Sequence, residues 1–269
     1  GRNEETRKGV SRIFMGISAS MVVGVPAINY IANAISLEMS MLFFALLNAI
    51  SFIATVLFVP STPVNKQLSY GAQLSILKKP IVWLSITAVV FMNGAVLGVY
   101  SYISEYLGSV TRVSSDVISV MLFIYGAANI IGNILAGKLL SKHATKSVVF
   151  FPFALGAVYI VWLLMGQFTV PVAFIIFAWG LLYGIGNNNN QYWITSAALE
   201  APDFANGLFV TSANLGTTIA TTVCGLFISG MGTEYVVLGG LSFLLVSIVL
   251  VLLRVNLYRS GEGLVKRGF

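Results

Sequence analysis

"VPVAFIIFAWGLLYGIGNNNNQYW", residues 170–193, runs apolar for seventeen positions and then meets four asparagines and a glutamine. About 20 apolar residues cross the hydrocarbon core of a bilayer, so the run reads as a membrane-spanning helix that carries side-chain amides with it. At about 1.5 Å per residue from Val170, Asn187 lies roughly 25 Å deep, in the inner third of a core about 30 Å thick. Four consecutive helical residues turn through about 300°, so these amides cannot all face one cavity. Asn187, Asn190 and Gln191 share a face with Gly180, Tyr183 and Gly184, whereas Asn188 and Asn189 point elsewhere. The first three are expected to line a substrate path, and the other two to bond neighbouring helices or meet headgroups. Tyr192 and Trp193 are expected to anchor the interface. A polar cap on an ending helix, or an unwound segment after "GIG", is the competing reading.

The remaining chain has the same character. It is 57% hydrophobic and only 9% charged, whereas an ordinary soluble domain is about 25% charged. A water-soluble fold could not hide that much apolar surface. The apolar segments lack the ten-residue alternation of a membrane barrel, so an all-α membrane protein is expected. The single cysteine, Cys224, excludes a disulfide framework and reads as a packing residue. The net charge of +6 sits in short loops between apolar runs, which points to the bilayer and away from nucleic acid.

Eight segments are long enough to span: Ile13–Ile35, Met41–Val59, Ile81–Ile103, Val117–Ala136, Ser147–Gly166, Val170 to about Ile194, Gly207–Gly230 and Tyr235–Leu253. If the first starts in the cytoplasm, 14 of the 15 basic residues fall on the inner side, with only Arg112 outside. This bias places both termini in the cytoplasm of a multi-pass cell-membrane protein. Residues 60–80, with Pro60, Lys66, Lys78 and Lys79, read as a cytoplasmic linker between residues 1–59 and 81–269. An internal repeat pairs Glu5 and Gly9 with Asp203 and Gly207 at a constant offset of 198, each pair opening a span. The expectation is therefore two six-helix bundles: the last two helices of an N-terminal bundle at 1–59, and a complete C-terminal one at 81–269.

Polar residues are distributed unevenly among the spans. Amides fall at Asn93, at Asn129 and Asn133, at residues 187–191 and at Asn214, and none in the fifth and eighth spans. Tyr125, Asn129 and Asn133 stack at i, i+4 and i+8; Asn214, Thr217, Thr218 and Thr221 form a second stripe. Amides and hydroxyls are costly in lipid. Any one of them is as well explained as glue between helices; taken as a set, they favour a hydrated cavity. The expected substrate-binding residues are Asn93, Tyr125, Asn129, Asn133, Tyr183, Asn187, Asn190, Gln191, Asn214 and Thr218.

On these residues the chain resembles the major facilitator superfamily, in its twelve-span drug and sugar efflux branch of the arabinose-efflux-permease type. "GISASMVVGVP" (residues 16–26) resembles the antiporter motif of that family's fifth helix through Gly16, Gly24 and Pro26, although the usual glycines are absent around Asn29 and Tyr30. "GNILAGKLLSKHATK" (132–146) resembles the glycine and basic loop after the eighth helix, with the usual acidic residue lost near Ser141, and "ANLG" (213–216) fits the eleventh helix. The resemblance implies that four helices precede those in this chain. It also implies a secondary transporter that exports a small polar or amphipathic molecule by alternating access. Independently of the family, Pro26 cannot donate to the carbonyl of Val22, so a kink is expected there, and Gly16 and Gly24 permit close approach: a hinge, or ordinary packing.

Catalysis is not expected, because no carboxylate pair, nucleophile–base set or metal-ligand cluster falls within the spans. No cofactor or metal is expected either. His143 lies among lysines and reads as solvated. All nine acidic residues fall near span ends or in loops, so a carboxylate for a coupling proton is expected in the four preceding helices. The expected partners are a small-molecule substrate, the lipid bilayer and coupled protons. The rival reading is a truncated, non-transporting membrane protein that acts with a partner chain. Amide and hydroxyl linings suit sugars or nucleosides; the aromatics Tyr100, Tyr125, Trp179 and Tyr183 suit amphipathic drugs.

Overall fold

The computed structural model describes residues 20–59 and 69–265. Gly16, the first stretch of the expected first span, most of the linker and the Glu5–Gly9 half of the internal repeat lie outside them. The described residues are all-helical, with no strand among them.

The chain enters through a π-turn, Ser20–Gly24, that passes into α1 (Val25–Ala34) with proline in its first turn. A proline ring removes one backbone donor, and the wider π-turn just before it accommodates the mismatch. Helix α2 (Leu37–Phe58) starts one turn before the expected Met41, because Ser36 caps it by accepting from the Met39 amide at 3.2 Å. After a short α3 (Tyr70–Ser75) come α4 (Pro80–Tyr100), the outer-turn helix α5 (Ile103–Ser109), α6 (Ser115–Met165), α7 (Thr169–Thr195), α8 (Pro202–Met231) and α9 (Val236–Val265).

The two spans expected at 117–136 and 147–166 form two helical segments of α6 that meet at a kink at His143, whose φ of −145° and ψ of 50° are non-helical. "KLLSKHAT" contains neither glycine nor proline and is rich in helix formers, so both segments run into the basic loop and a single residue makes the turn. Among the described residues, five helices are long and apolar enough to cross a membrane: Leu37–Phe58, Pro80–Tyr100, Ser115–Met165, Thr169–Thr195 and Thr233–Tyr258. Helix α8, 30 residues long, is not among them, because Asn206, Asn214 and its threonines dilute it.

Packing sorts the helices into inner and outer. Helix α4 is the most enclosed: it lies against α7, α8 and α9, and 61% of its most apolar window is buried. In α2 none is, and its Leu, Phe and Ile side chains face outward on all sides, as lipid permits. Helices α6 and α7 pack along each other most extensively, then α4 and α8. Both seams rest on glycine. A methyl group at Gly184 would overlap the Asn129 carbonyl, and one at Gly94 would stand 2.8 Å from the Gly216 carbonyl oxygen. Small residues let membrane helices approach backbone to backbone, where dispersion and hydrogen bonds replace the hydrophobic drive that lipid lacks. The π-turn and α1 rest on α6.

Candidate functional site

The α4–α8 seam is stitched by polar groups. The Asn93 amide, buried on α4, donates to the Ala213 carbonyl at 2.8 Å and to Thr217 Oγ1 at 3.2 Å. One turn outward, Ser101 Oγ meets Thr221 Oγ1 at 3.0 Å, and the Tyr102 hydroxyl donates to the Thr221 carbonyl at 3.1 Å. The threonine stripe of α8 therefore divides. Thr217 and Thr221 turn to α4, whereas Asn214 and Thr218 are exposed, with side chains bonded only to their own helix at 2.9 and 3.0 Å.

On the α6–α7 seam the asparagines meet one another. Asn133 donates to the Asn129 carbonyl at 3.0 Å and to Asn129 Oδ1 at 3.1 Å, while its own Oδ1 accepts from Asn188 at 2.6 Å. Asn189, fully buried, accepts from Ser147 Oγ at 2.9 Å and donates to the Ser147 carbonyl at 3.2 Å. Gln191 reaches Asn206 of α8 at 2.8 Å. Asn187 is half-buried and its side chain makes no hydrogen bond among the described residues; Asn190 is buried with its Oδ1 unpartnered. The helix stays α-helical through the whole asparagine run, so neither the cap nor the unwound segment describes it.

Toward the Thr169 end of α7 the seam becomes aromatic. Tyr125 stacks on Tyr100 (centroids 4.8 Å apart, planes 29°) and faces Tyr183 at 6.0 Å, with Trp179 against both Tyr125 and Tyr100 at 4.9 and 5.9 Å. Trp162 meets Trp179 edge to face at 4.9 Å. Tyr159 donates to the Ala95 carbonyl at 2.6 Å and accepts from Trp179 Nε1 at 3.2 Å. The hydroxyls of Tyr100 and Tyr125 are enclosed and have no partner. A buried donor left unmade costs about 1–3 kcal/mol, so each is a standing expense that a ligand oxygen would remove.

At the opposite end of α7, Arg254 of α9 is buried. Its guanidinium stacks over the Trp193 ring at 3.8 Å and donates to the Trp193 carbonyl and, at 2.9 Å, to Ser196 Oγ. It thus satisfies carbonyls that a helix C-terminus leaves orphaned and meets the negative end of the helix dipole. The sequence counted Arg254 only as an inner positive charge, because its partner Trp193 lies on another helix and no spacing links the two. Beyond it, Lys79 and Glu200 pair between the loops before α4 and after α7, each about half exposed, and the hydrogen bond from Lys79 holds the Glu200 carboxyl below its ordinary pKa. Gly24 of the proposed hinge lies half-buried at the end of the π-turn.

Membrane helices with polar seams, an aromatic centre and an arginine-capped inner end are the setting in which comparison with known proteins becomes informative. The sequence profile of the Major Facilitator Superfamily matches residues 2–202. The chain belongs to that family. Among its relatives, the inner membrane transport protein YdhP of Escherichia coli K12 is 27% identical over 245 residues, covering 88% of this chain and 62% of the relative. A probable sugar efflux transporter of Helicobacter pylori J99 is 24% identical over 242 residues, 87% of this chain and 60% of the relative. The transcription regulatory protein OpdE of Pseudomonas aeruginosa is 25% identical over 179 residues, 66% of this chain and 44% of the relative. The chain spans about three fifths of the length of the two transport relatives, at 62% and 60%. This Major Facilitator Superfamily chain is a multi-pass membrane protein whose transport relatives are transporters and not enzymes.

Proposed function

We propose that the chain forms the larger part of a secondary transporter that exports a small polar or amphipathic molecule across the cell membrane by alternating access. In this reading eight spans cross the bilayer, residues 1–59 completing one six-helix bundle and 81–269 forming the other, with 60–80 as a cytoplasmic linker and both chain ends in the cytoplasm. Substrate passes along the inner faces of α4, α6, α7 and α8, where Asn93, Tyr125, Asn129, Asn133, Tyr183, Asn187, Asn190, Gln191, Asn214 and Thr218 lie. Gly16, Gly24 and Pro26 act as an antiporter hinge, and the carboxylate that binds the coupling proton belongs to the helices that precede these in the family.

The observation that carries the reading is the contrast between α2, where Asn48, Ser51 and Thr55 bond back to their own helix, and the four inner helices, several of whose polar atoms are buried and bonded across seams or left unpartnered. The printed name of the Helicobacter relative adds sugars as a class to try first. The name of the Pseudomonas relative favours a second reading, a regulator that moves no solute. Inside-out vesicles bearing the full-length protein, offered labelled arabinose and ethidium, separate the two. Uptake abolished by a protonophore is expected for at least one solute. Vesicles that accumulate neither above protein-free controls refute transport and leave the regulator.

A further inference from the structure

We propose that Tyr100, Tyr125 and Tyr183 form a subsite for an uncharged, ring-bearing substrate rich in oxygen acceptors, with the Tyr100 hydroxyl as a specificity-determining group. The proposal rests on the transport reading and names the substrate class of the same site.

The ring of Tyr125 stacks on both Tyr100, at 29° and 4.8 Å between centroids, and Tyr183, at 23° and 6.0 Å. Neither Tyr100 nor Tyr125 hands its proton to the protein, though both hydroxyls are enclosed. The fold is able to satisfy a phenol in this very cluster: Tyr159, one ring further along, has both a carbonyl to donate to and an indole N–H to accept. The two open hydroxyls stand next to each other on the face shared by α4, α6 and α7, where the rings of Tyr100 and Tyr125 stack. Of the three tyrosines Tyr100 is the most exposed, while Tyr125 and Tyr183 are buried.

Charge decides the class. Neither α4 nor α7 carries an acidic or basic side chain, the charged residues of α6 nearest to Tyr125 in sequence, Asp116 and Lys138, are 9 and 13 positions away, and the buried cation Arg254 is occupied with Trp193 and Ser196 at the far end of α7. An ionic substrate would find no counter-charge on these three faces, and an unpaired charge is the most expensive group to hold in such surroundings. A neutral ring stacks on tyrosine and tryptophan faces, and its oxygens take the two waiting hydrogens.

The test uses the full-length protein in lipid nanodiscs and three near-isosteric probes: phenyl β-D-glucoside, its anionic glucuronide and its cationic amino-sugar counterpart. The glucoside is expected to bind at least about tenfold more tightly than either ion, since an unpaired ionic group outweighs the single hydrogen bond it replaces. Tyr100→Phe and Tyr125→Phe should each weaken glucoside binding about five- to tenfold, one hydrogen bond's worth. Because those hydroxyls are unpartnered when the site is empty, neither substitution should lower the unfolding midpoint of the ligand-free protein. Overturning results are equal binding of the charged probes, unchanged binding in both variants, no binding of the glucoside at all, or a midpoint that falls on loss of either hydroxyl, which would assign it a structural role. None of these touches the arabinose and ethidium uptake that judges transport itself, so the two readings fail separately.

Discussion

Helix α7 has two halves that treat their polar atoms in opposite ways. From Trp179 to Tyr183 it faces aromatic rings, two of whose hydroxyls meet no protein atom; from Gly184 onward its side chains are amides, and Asn188, Asn189 and Gln191 are each bonded to a neighbouring helix. The sequence makes the amides conspicuous and the tyrosines ordinary. The structure divides that weight: Asn188 and Asn189 are joints between helices while Asn187 and Asn190 stay open, and the hydroxyls of Tyr100 and Tyr125 are unsatisfied beside them. A polar residue in a span thus signals a ligand only after its partners have been counted.

The comparison can be broken most forcefully at the residue that divides the halves. Gly184→Leu would drive a side chain into the Asn129 backbone, and we expect a loss of about 3 kcal/mol or more, seen as collapse of the monodisperse peak in detergent. A variant that stays monodisperse would mean the α6–α7 seam can open without cost. Next in size is Arg254→Ala, which removes the ring contact and the cap on the inner end of α7. About 2 kcal/mol of stability should go, read from the thermal midpoint, with glucoside affinity unchanged. A change in affinity alone would place Arg254 on the substrate path.

Asn189→Ala sharpens the contrast directly. It deletes both bonds to Ser147, and a cost of about 1 kcal/mol is expected in the midpoint with transport retained. Transport lost at unchanged stability would place Asn189 on the substrate path, against the helix-joining role the sequence gave it. The smallest effect belongs to Glu200, away from either half. Its folded pKa is lowered, first by the hydrogen bond from Lys79, so its contribution is present above the unfolded carboxylate pKa and fades as pH falls through the folded value. Both partners are about half in water, so Glu200→Gln should cost under about 0.5 kcal/mol at neutral pH and nothing in acid. A midpoint difference that persists in acid would contradict the pairing.

Much of the fold was legible because a bilayer imposes one rule, length without charge, and the chain obeys it from Leu37 to Phe58 and from Pro80 to Tyr100. The turn between the spans at 117–136 and 147–166 was legible as well, but its confinement to His143 was not, because the basic loop holds neither glycine nor proline to mark the place. Facing directions on α7 followed from the helical period: Asn188 and Asn189 point away from Tyr183, and they do bond elsewhere. What periodicity could not supply was the identity of the atom opposite. Nothing in "GAVYIV" says that Tyr159 finds a carbonyl, nothing in "LGVYSY" or "FIYGAA" says that Tyr100 and Tyr125 find none, and nothing in "LLRVNLYR" says that Arg254 slides over an indole.

The tryptophans described above also make the molecule its own optical ruler. Trp83 is 53% exposed on the outer surface of α4, whereas Trp162, Trp179 and Trp193 are enclosed, the first two edge to face and the third beneath a guanidinium. Brominated acyl chains quench only the indoles they can touch. They should darken Trp83 and spare the other three, leaving a residual emission that reports from the protein interior without any attached dye.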